Sequence, residues 1–237
     1  MSVVVLKSQK ENKAARAEMR RRNIDCTSSY IVRMARKIGM VKGITVGDRF
    51  KSWDVLSTIQ FIQDHLSPDA PILDIGAYAS EVLCALHRVG YTNLTGVDLN
   101  PALRYMPYAD KITYVQSDFM RTPFNDASFS AVTAISVIEH GFQSKKLLKE
   151  LARIIKPGGY FIASVDYWPE KIDTHGIKAF GMDWMIFSED DLRSFVKEAE
   201  KINFKPYGEL NFDAFDKVIK WNGKQYTFVW LAMKKEG

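Results

Sequence analysis

Between residues 72 and 165 short apolar runs alternate with helical stretches, and three of the runs end in an aspartate: Asp74 in PILDIGA, Asp98 in LTGVDLNP and Asp118 in ITYVQSDF. The aspartates stand 24 and 20 residues apart, and each interval holds one helix and one strand. This is the repeat of a parallel α/β sheet, because parallel neighbours need a long crossover. Strands are expected at 72–75, 94–98, 112–117, 131–137 and 160–165, and helices at 81–89, 101–106 and 143–155. After 165 come an aromatic-rich stretch, a helix over 188–202 that Ser188 caps, and closing strands at 206–210 and 226–233. The expected fold is α/β: a doubly wound, seven-stranded sheet with helices on both faces.

Ligands of such sheets lie beyond the carboxyl ends of the strands. A carboxylate at the second strand end can accept hydrogen bonds from both hydroxyls of a ribose, and one at the third can accept from an exocyclic amino group. The three acids therefore point to a nucleoside cofactor. A triphosphate would require lysine and backbone N–H groups at the same places.

The net charge of +5 is uneven. Residues 1–51 hold 13 Lys and Arg against 4 Asp and Glu, so the remainder of the chain is acidic. The sequence divides into a basic helical N-terminal arm, 1–51, with helices at 8–23 and 30–38, and a main α/β domain, 52–237, that opens on an amphipathic helix over 52–66. The arm includes Arg20-Arg21-Arg22 and could meet phosphates, but no aromatic residues interleave that cluster as a single-strand binder would require. Nucleic acid is thus a secondary expectation for its partner. Cys26 and Cys84 lack metal-ligand spacing and read as free thiols, and no metal site is expected. No run is long enough for a membrane span or a signal peptide, so the expected location is cytoplasmic.

Five motifs occur in register: Ile72-Leu-Asp-Ile-Gly, Thr95-Gly-Val-Asp-Leu-Asn, Ser117-Asp-Phe, Ile135-Ser-Val-Ile-Glu-His and Lys156-Pro-Gly-Gly. Together they resemble the class I S-adenosylmethionine-dependent methyltransferases, particularly the type 11 group. The resemblance covers about 52–237. It implies a Rossmann-like sheet, mostly parallel with an antiparallel C-terminal strand, and S-adenosyl-L-methionine as cofactor. It also implies cofactor contacts from Asp74, Gly76, Ala77, Tyr78, Asp98, Leu99, Asp118, Phe119 and Ser136. One departure is plain: the family's loop carries glycines where this chain has Tyr78 and Ser80.

Methyl transfer from a sulfonium depends chiefly on alignment, and a base assists when the acceptor is a hydroxyl. Glu139, His140 and Asp166, at strand ends, are the expected catalytic residues. Tyr167, Trp168, Phe180, Trp184 and Phe187 follow the fifth strand, where an acceptor pocket or lid would stand. Their aromatic faces suit a small hydroxylated acceptor such as a sugar or glycan precursor. An RNA methyltransferase docking through the arm, and a non-catalytic binding protein that keeps the fold, are the alternatives. The oligomeric state is not legible in the sequence.

Overall fold

The computed structural model describes residues 3–41 and 43–237. In chain order the elements are β1 (Val3–Val5), α1 (Gln9–Arg21), α2 (Tyr30–Lys37), α3 (Ser52–His65), β2 (Ile72–Ile75), α4 (Val82–Arg88), β3 (Leu94–Asp98), β4 (Thr113–Gln116) and β5 (Phe129–Ile135). There follow α5 (Ser144–Ile154), β6 (Ile155–Tyr167), β7 (Lys178–Ala179), β8 (Met182–Asp183), α6 (Glu189–Glu200), β9 (Phe204–Pro206), β10 (Ile219–Trp221) and β11 (Lys224–Lys235).

The main sheet runs β1-β11-β6-β5-β2-β3-β4. The pairs from β6 to β4 are parallel, and β11 joins β6 antiparallel. The expected sheet is therefore present, with its antiparallel strand at the C-terminus. The strand reversal between β2 and β5 opens a crevice at the carboxyl ends, where ligands bind in such sheets.

Alternation along each strand builds two cores, since successive side chains point to opposite faces. Leu73, Val97, Val132, Phe161 and Leu231 pack with Leu147 and Leu151 of α5 and with Leu192 and Phe195 of α6. On the other face Ile72, Leu94, Ala131, Ile162 and Trp230 pack with Met19 of α1, Ile59 and Ile62 of α3 and Leu83 of α4.

The described residues of the first 51 take part in this architecture. Val3–Val5 pairs with Val229–Leu231, and Ala15 and Met19 enter the second core. Strands β10, β1 and β9 lie in line along the outer edge of β11, opposite residues 224–226, 229–231 and 233–235. They occupy the backbone groups of what would otherwise be a long open edge.

Some local expectations shift. The stretch 101–106 is a 3₁₀ turn, Pro101–Tyr105, started by the Asn100 side chain, which accepts the Ala102 N–H. Asn222-Gly223 closes the β10–β11 hairpin with φ of +46° and +76°, and β9 pairs separately with the far end of β11. Two consecutive positive φ values are the geometry that Asn-Gly turns adopt most readily. Lys156-Pro-Gly-Gly lies inside β6, where the register against β5 slips, and a Cβ at Gly159 would stand 2.8 Å from the Ser130 carbonyl oxygen.

Candidate functional site

A cavity of about 790 Å³ opens at the carboxyl ends of the central strands. The turn after β2 provides Gly76, Tyr78, Ala79, Ser80 and Glu81, and the end of β3 provides Asp98 and Leu99. Phe119 follows β4, Ser136 and His140 follow β5, and Phe180, Gly181 and Met182 come from the β7–β8 hairpin. A second cavity, about 360 Å³, is lined by α1 and Arg49-Phe50 and takes no residue from the strand ends.

The turn after β2 is built around two left-handed residues. Gly76 has φ of +72°, and a Cβ there would lie 2.4 Å from a Val137 methyl. Only glycine permits that approach. The second left-handed residue is Ala79, at +62°. Tyr78, at the family's second glycine, is not in the left-handed region, so its side chain meets no backbone penalty. Its N–H donates to Asp98 Oδ2 at 3.0 Å, and its side chain packs against the cluster of Ala77, Cys84, Leu103 and Met106. Ser80 accepts the Val82 N–H at 3.3 Å just ahead of α4, whose N-cap is Glu81.

Asp98 is fixed on both oxygens, with Oδ1 accepting the Asn100 N–H at 2.8 Å. Leu99 beside it is exposed on the cavity wall. Ser136 is buried with φ of +52°, and its hydroxyl has no hydrogen-bond partner. A non-glycine residue in this region is strained, and such strain gathers at functional sites.

Three expected contact residues lie off the cavity surface. Asp74 is buried behind the loop: Oδ1 accepts the Thr133 hydroxyl at 2.6 Å, while Oδ2 is unpaired. Burial lifts its carboxyl to about 7, against the pull of Thr133 and with a push from the Asp98 charge. Any contact from Asp74 to a ligand passes through a bridging group. Ala77 is buried in the loop's own packing. Asp118 is exposed, its Oδ1 occupied by the Met120 N–H at 2.8 Å.

The three expected catalytic residues separate in the same way. His140 borders the cavity; Glu139 and Asp166 do not. Their carboxyls are buried as a mutually repelling pair, with Asp166 Oδ2 accepting the Trp184 indole N–H at 2.8 Å and Glu139 Oε2 unpaired. Burial raises Asp166 to about 7 and Glu139 well above the carboxylate range, the nearby Asp166 charge adding to the rise of Glu139. His140 is held by backbone contacts: its N–H donates to the Val137 carbonyl at 3.1 Å, and it bridges to Trp184. Its Nδ1 is buried without a partner. Burial, then the Lys51 charge, push the imidazole down to about 4.

Residues 47–51 supply a wall that sequence reasoning did not assign. Gly47, Asp48 and Lys51 border the cavity, and the Gly47 N–H donates to the Ala79 carbonyl at 2.8 Å. A Cβ at Gly47 would stand 2.0 Å from Glu81 Oε2, so the chain crosses the β2 loop at a point only glycine can occupy. A second tie is the buried Arg16, whose guanidinium meets Glu81 at 2.7 Å and Asp25 at 3.0 Å. The visible signal was the punctuation Gly43, Gly47, which reads simply as a loop.

These features fit a nucleoside bearing an amino-acid tail. The volume lies within the range of small-molecule sites, a fixed carboxylate stands at the second strand end, apolar surfaces flank it, and the tight turn has unpaired polar atoms beside it. No helix among the described residues is long and apolar enough to cross a membrane.

Comparison with known proteins agrees. Residues 73–163 match the type 11 family model, described as a methyltransferase domain. A sterol 24-C-methyltransferase, ERG6B, of Gibberella zeae is 33% identical over 104 residues, covering 40% of this chain and 27% of that protein. Cycloartenol-C-24-methyltransferase of Arabidopsis thaliana is 32% identical over 93 residues, 39% of this chain and 27% of that one. The match thus spans about a quarter of the length of these relatives. Among solved structures, geranyl diphosphate C-methyltransferase from Streptomyces coelicolor, in complex with S-adenosyl-L-homocysteine, aligns with TM-score 0.58 at 15% identity, over 88% of this chain and 99% of that one. The [4+2]-cyclase SpnF aligns with TM-score 0.59 at 12% identity, over 99% and 98%. A cyclase on the same fold shows that the fold alone does not fix the reaction. Residues 73–163 thus carry the match to a type 11 methyltransferase domain, and the chain has the fold of the class I S-adenosylmethionine-dependent methyltransferases.

Proposed function

We propose that this protein methylates a hydroxyl of a small acceptor and that His140 takes the proton. One observation carries the reading: His140 is the imidazole on the cavity wall, held neutral by its surroundings and fixed by backbone bonds beside the apolar hairpin residues Phe180 and Met182. S-adenosylmethionine, when bound, supplies a methyl group on a sulfonium sulfur and leaves as S-adenosylhomocysteine.

Asp98 accepts from the ribose hydroxyls, Leu99 and Phe119 flank the adenine, and the amino-acid tail lies along the β2 loop where Gly76, Tyr78 and Ser80 border the cavity. The acceptor lies on the side of Phe180, Met182 and His140. A methylated oxygen that still bears its proton is strongly acidic, so an imidazole of pKa about 4 is basic enough to receive it. Phe180 and Met182 suit the apolar face of a ring, whether of a sugar or of a more hydrophobic molecule; the sterol methyltransferases among the relatives favour the latter.

The RNA reading loses support from the local pairing of the arm's cations. Arg20 pairs with the Asp25 carboxylate and Arg21 with that of Glu18, so of the three only Arg22, bonded to the neutral Gln63, keeps its charge uncompensated.

The test has two parts. Calorimetric titration with S-adenosylhomocysteine should show binding, and Asp98→Ala should weaken it by about 1–3 kcal/mol, the range for leaving buried polar groups unpaired. Incubation with methyl-labelled S-adenosylmethionine and a panel of hydroxylated sugars, phenols and sterols should then label at least one acceptor as an ether. Unchanged affinity in folded Asp98→Ala would remove the ribose assignment, and labelling confined to RNA or to carbon would overturn the hydroxyl acceptor.

A further inference from the structure

Among the described residues, exposed large apolar side chains gather on α2 and the turn after it. They are Tyr30, Ile31, Met34, Ile38, Met40 and Val41, with Ile31 78% and Met40 76% exposed. Helix α2 buries none of its residues. Positions 30, 31, 34 and 38 share one face of a helix with 3.6 residues per turn, so four of these side chains form a stripe. Contiguous exposed apolar surface of this kind marks a docking site.

Charge selects the occupant. Residues 30–47 contain four Lys and Arg and no Asp or Glu. Arg33 donates to the Ser28 and Gly47 carbonyls, and Arg36 to the Ser28 hydroxyl and the Ile44 carbonyl. These bonds fix the helix without cancelling its charge, in contrast to the carboxylate-paired Arg20 and Arg21. A short cationic helix with one bare apolar stripe is what a bilayer interface accepts: the apolar side chains enter the headgroup–acyl boundary, the exposed Lys37 meets lipid phosphates, and Arg33 and Arg36, turned back onto the chain, add their positive field.

The position of the stripe adds to this. Arg33 reaches the carbonyl of Gly47 at 3.1 Å, and Gly47 borders the main cavity. On the same cavity, Leu99 and Phe180 are also exposed, Phe180 by 81%. We propose that α2 and the turn at 38–41 form an interfacial anchor that seats the protein reversibly on an anionic lipid surface, close to the rim of the cavity. The anchor does not depend on which acceptor is methylated.

The experiment is sedimentation of the full chain with vesicles of phosphatidylcholine alone and of phosphatidylcholine with phosphatidylserine. The wild type should bind the anionic vesicles and bind the neutral ones weakly. Raising the salt should weaken binding without abolishing it, because the apolar contribution is unscreened. Ile31→Glu with Met34→Glu, two substitutions at unburied side chains, should reduce vesicle affinity by about tenfold or more while leaving S-adenosylhomocysteine affinity and circular dichroism unchanged. That last readout separates failure of the anchor from failure of the cofactor site. The proposal is overturned by absence of vesicle binding, by equal binding of the double variant, or by equal binding to both lipids. It is equally overturned if the double variant disrupts a homodimer or RNA binding while vesicle binding is absent.

Discussion

Arg16→Ala should destabilise the protein by about 3–5 kcal/mol, the penalty for removing one partner of a buried ion pair. The Arg16 guanidinium is 6% exposed and the Glu81 side chain 1%, and they meet at 2.7 Å. The same guanidinium also reaches Asp25, the Ser52 hydroxyl and the Asp48 carbonyl, so truncation strands several polar groups at once. Asp25 keeps Arg20 and Thr27 as partners; Glu81, whose Oε2 is already unpaired, keeps none from this cluster.

At roughly 2–4 °C per kcal/mol for a chain of this size, the melting temperature should fall by about 6–20 °C. The loss should also depend on pH. Burial already raises Glu81 to about 7 against the attraction of Arg16, and without Arg16 the carboxyl holds its proton more firmly. A raised folded-state pKa contributes stability that is present at low pH and lost as pH rises through that pKa. The variant should therefore be least impaired near pH 5 and most impaired near pH 8. Adding Glu81→Gln should recover part of the loss, because no charge then remains to be buried alone. A loss below about 1 kcal/mol, the size of a surface pair, would show that the contact does not hold residues 3–51 to the cofactor loop.

That contact also shows where reading the sequence stops. The strands β2 and β3 and the aspartates at their ends were legible because alternation and spacing are local properties of the chain. Asp98 accordingly stands on the cavity wall, in the place that the period implied. Arg16 was not legible as a pairing residue: a lone arginine in a polar helix reads as solvated, and its partners lie up to 65 residues away. Val3–Val5 reads as a short apolar run until β11 offers it an edge. Past a strand end, moreover, the alternation that sorts inward from outward side chains no longer applies. Glu139 and His140 are adjacent and equally suggestive in sequence, yet the turn after β5 buries one and places the other on the cavity. Tyr78 stands where the family pattern has glycine, and the sequence does not decide whether it tightens the loop or obstructs it. The chain instead places its left-handed residues at Gly76 and Ala79, and the side chain of Tyr78 joins the apolar packing beneath the loop.

His140→Gln should lower kcat for the accepted hydroxyl compound by about 10²–10⁴-fold, the contribution typical of a positioned base, with S-adenosylhomocysteine affinity little changed. Glutamine retains a polar side chain of similar reach but cannot take the proton. The pH profile provides the second readout. An ordinary histidine would lose its basic form as pH falls through the value near 6.5; burial and Lys51 move that point to about 4. The acid limb of the wild-type rate should accordingly lie near 4, leaving the rate flat across the range in which an exposed histidine would titrate. Lys51→Met removes the nearby positive charge and should move the limb upward. A variant that raises KM with kcat intact would make His140 an acceptor-binding group, and an acid limb near 6.5 that survives in His140→Gln would assign the titration elsewhere. Glu139 and Asp166 are poorly suited to replace it. Burial among like charges raises both carboxyls, and neither borders the cavity that His140 lines, so neither reaches an acceptor held there.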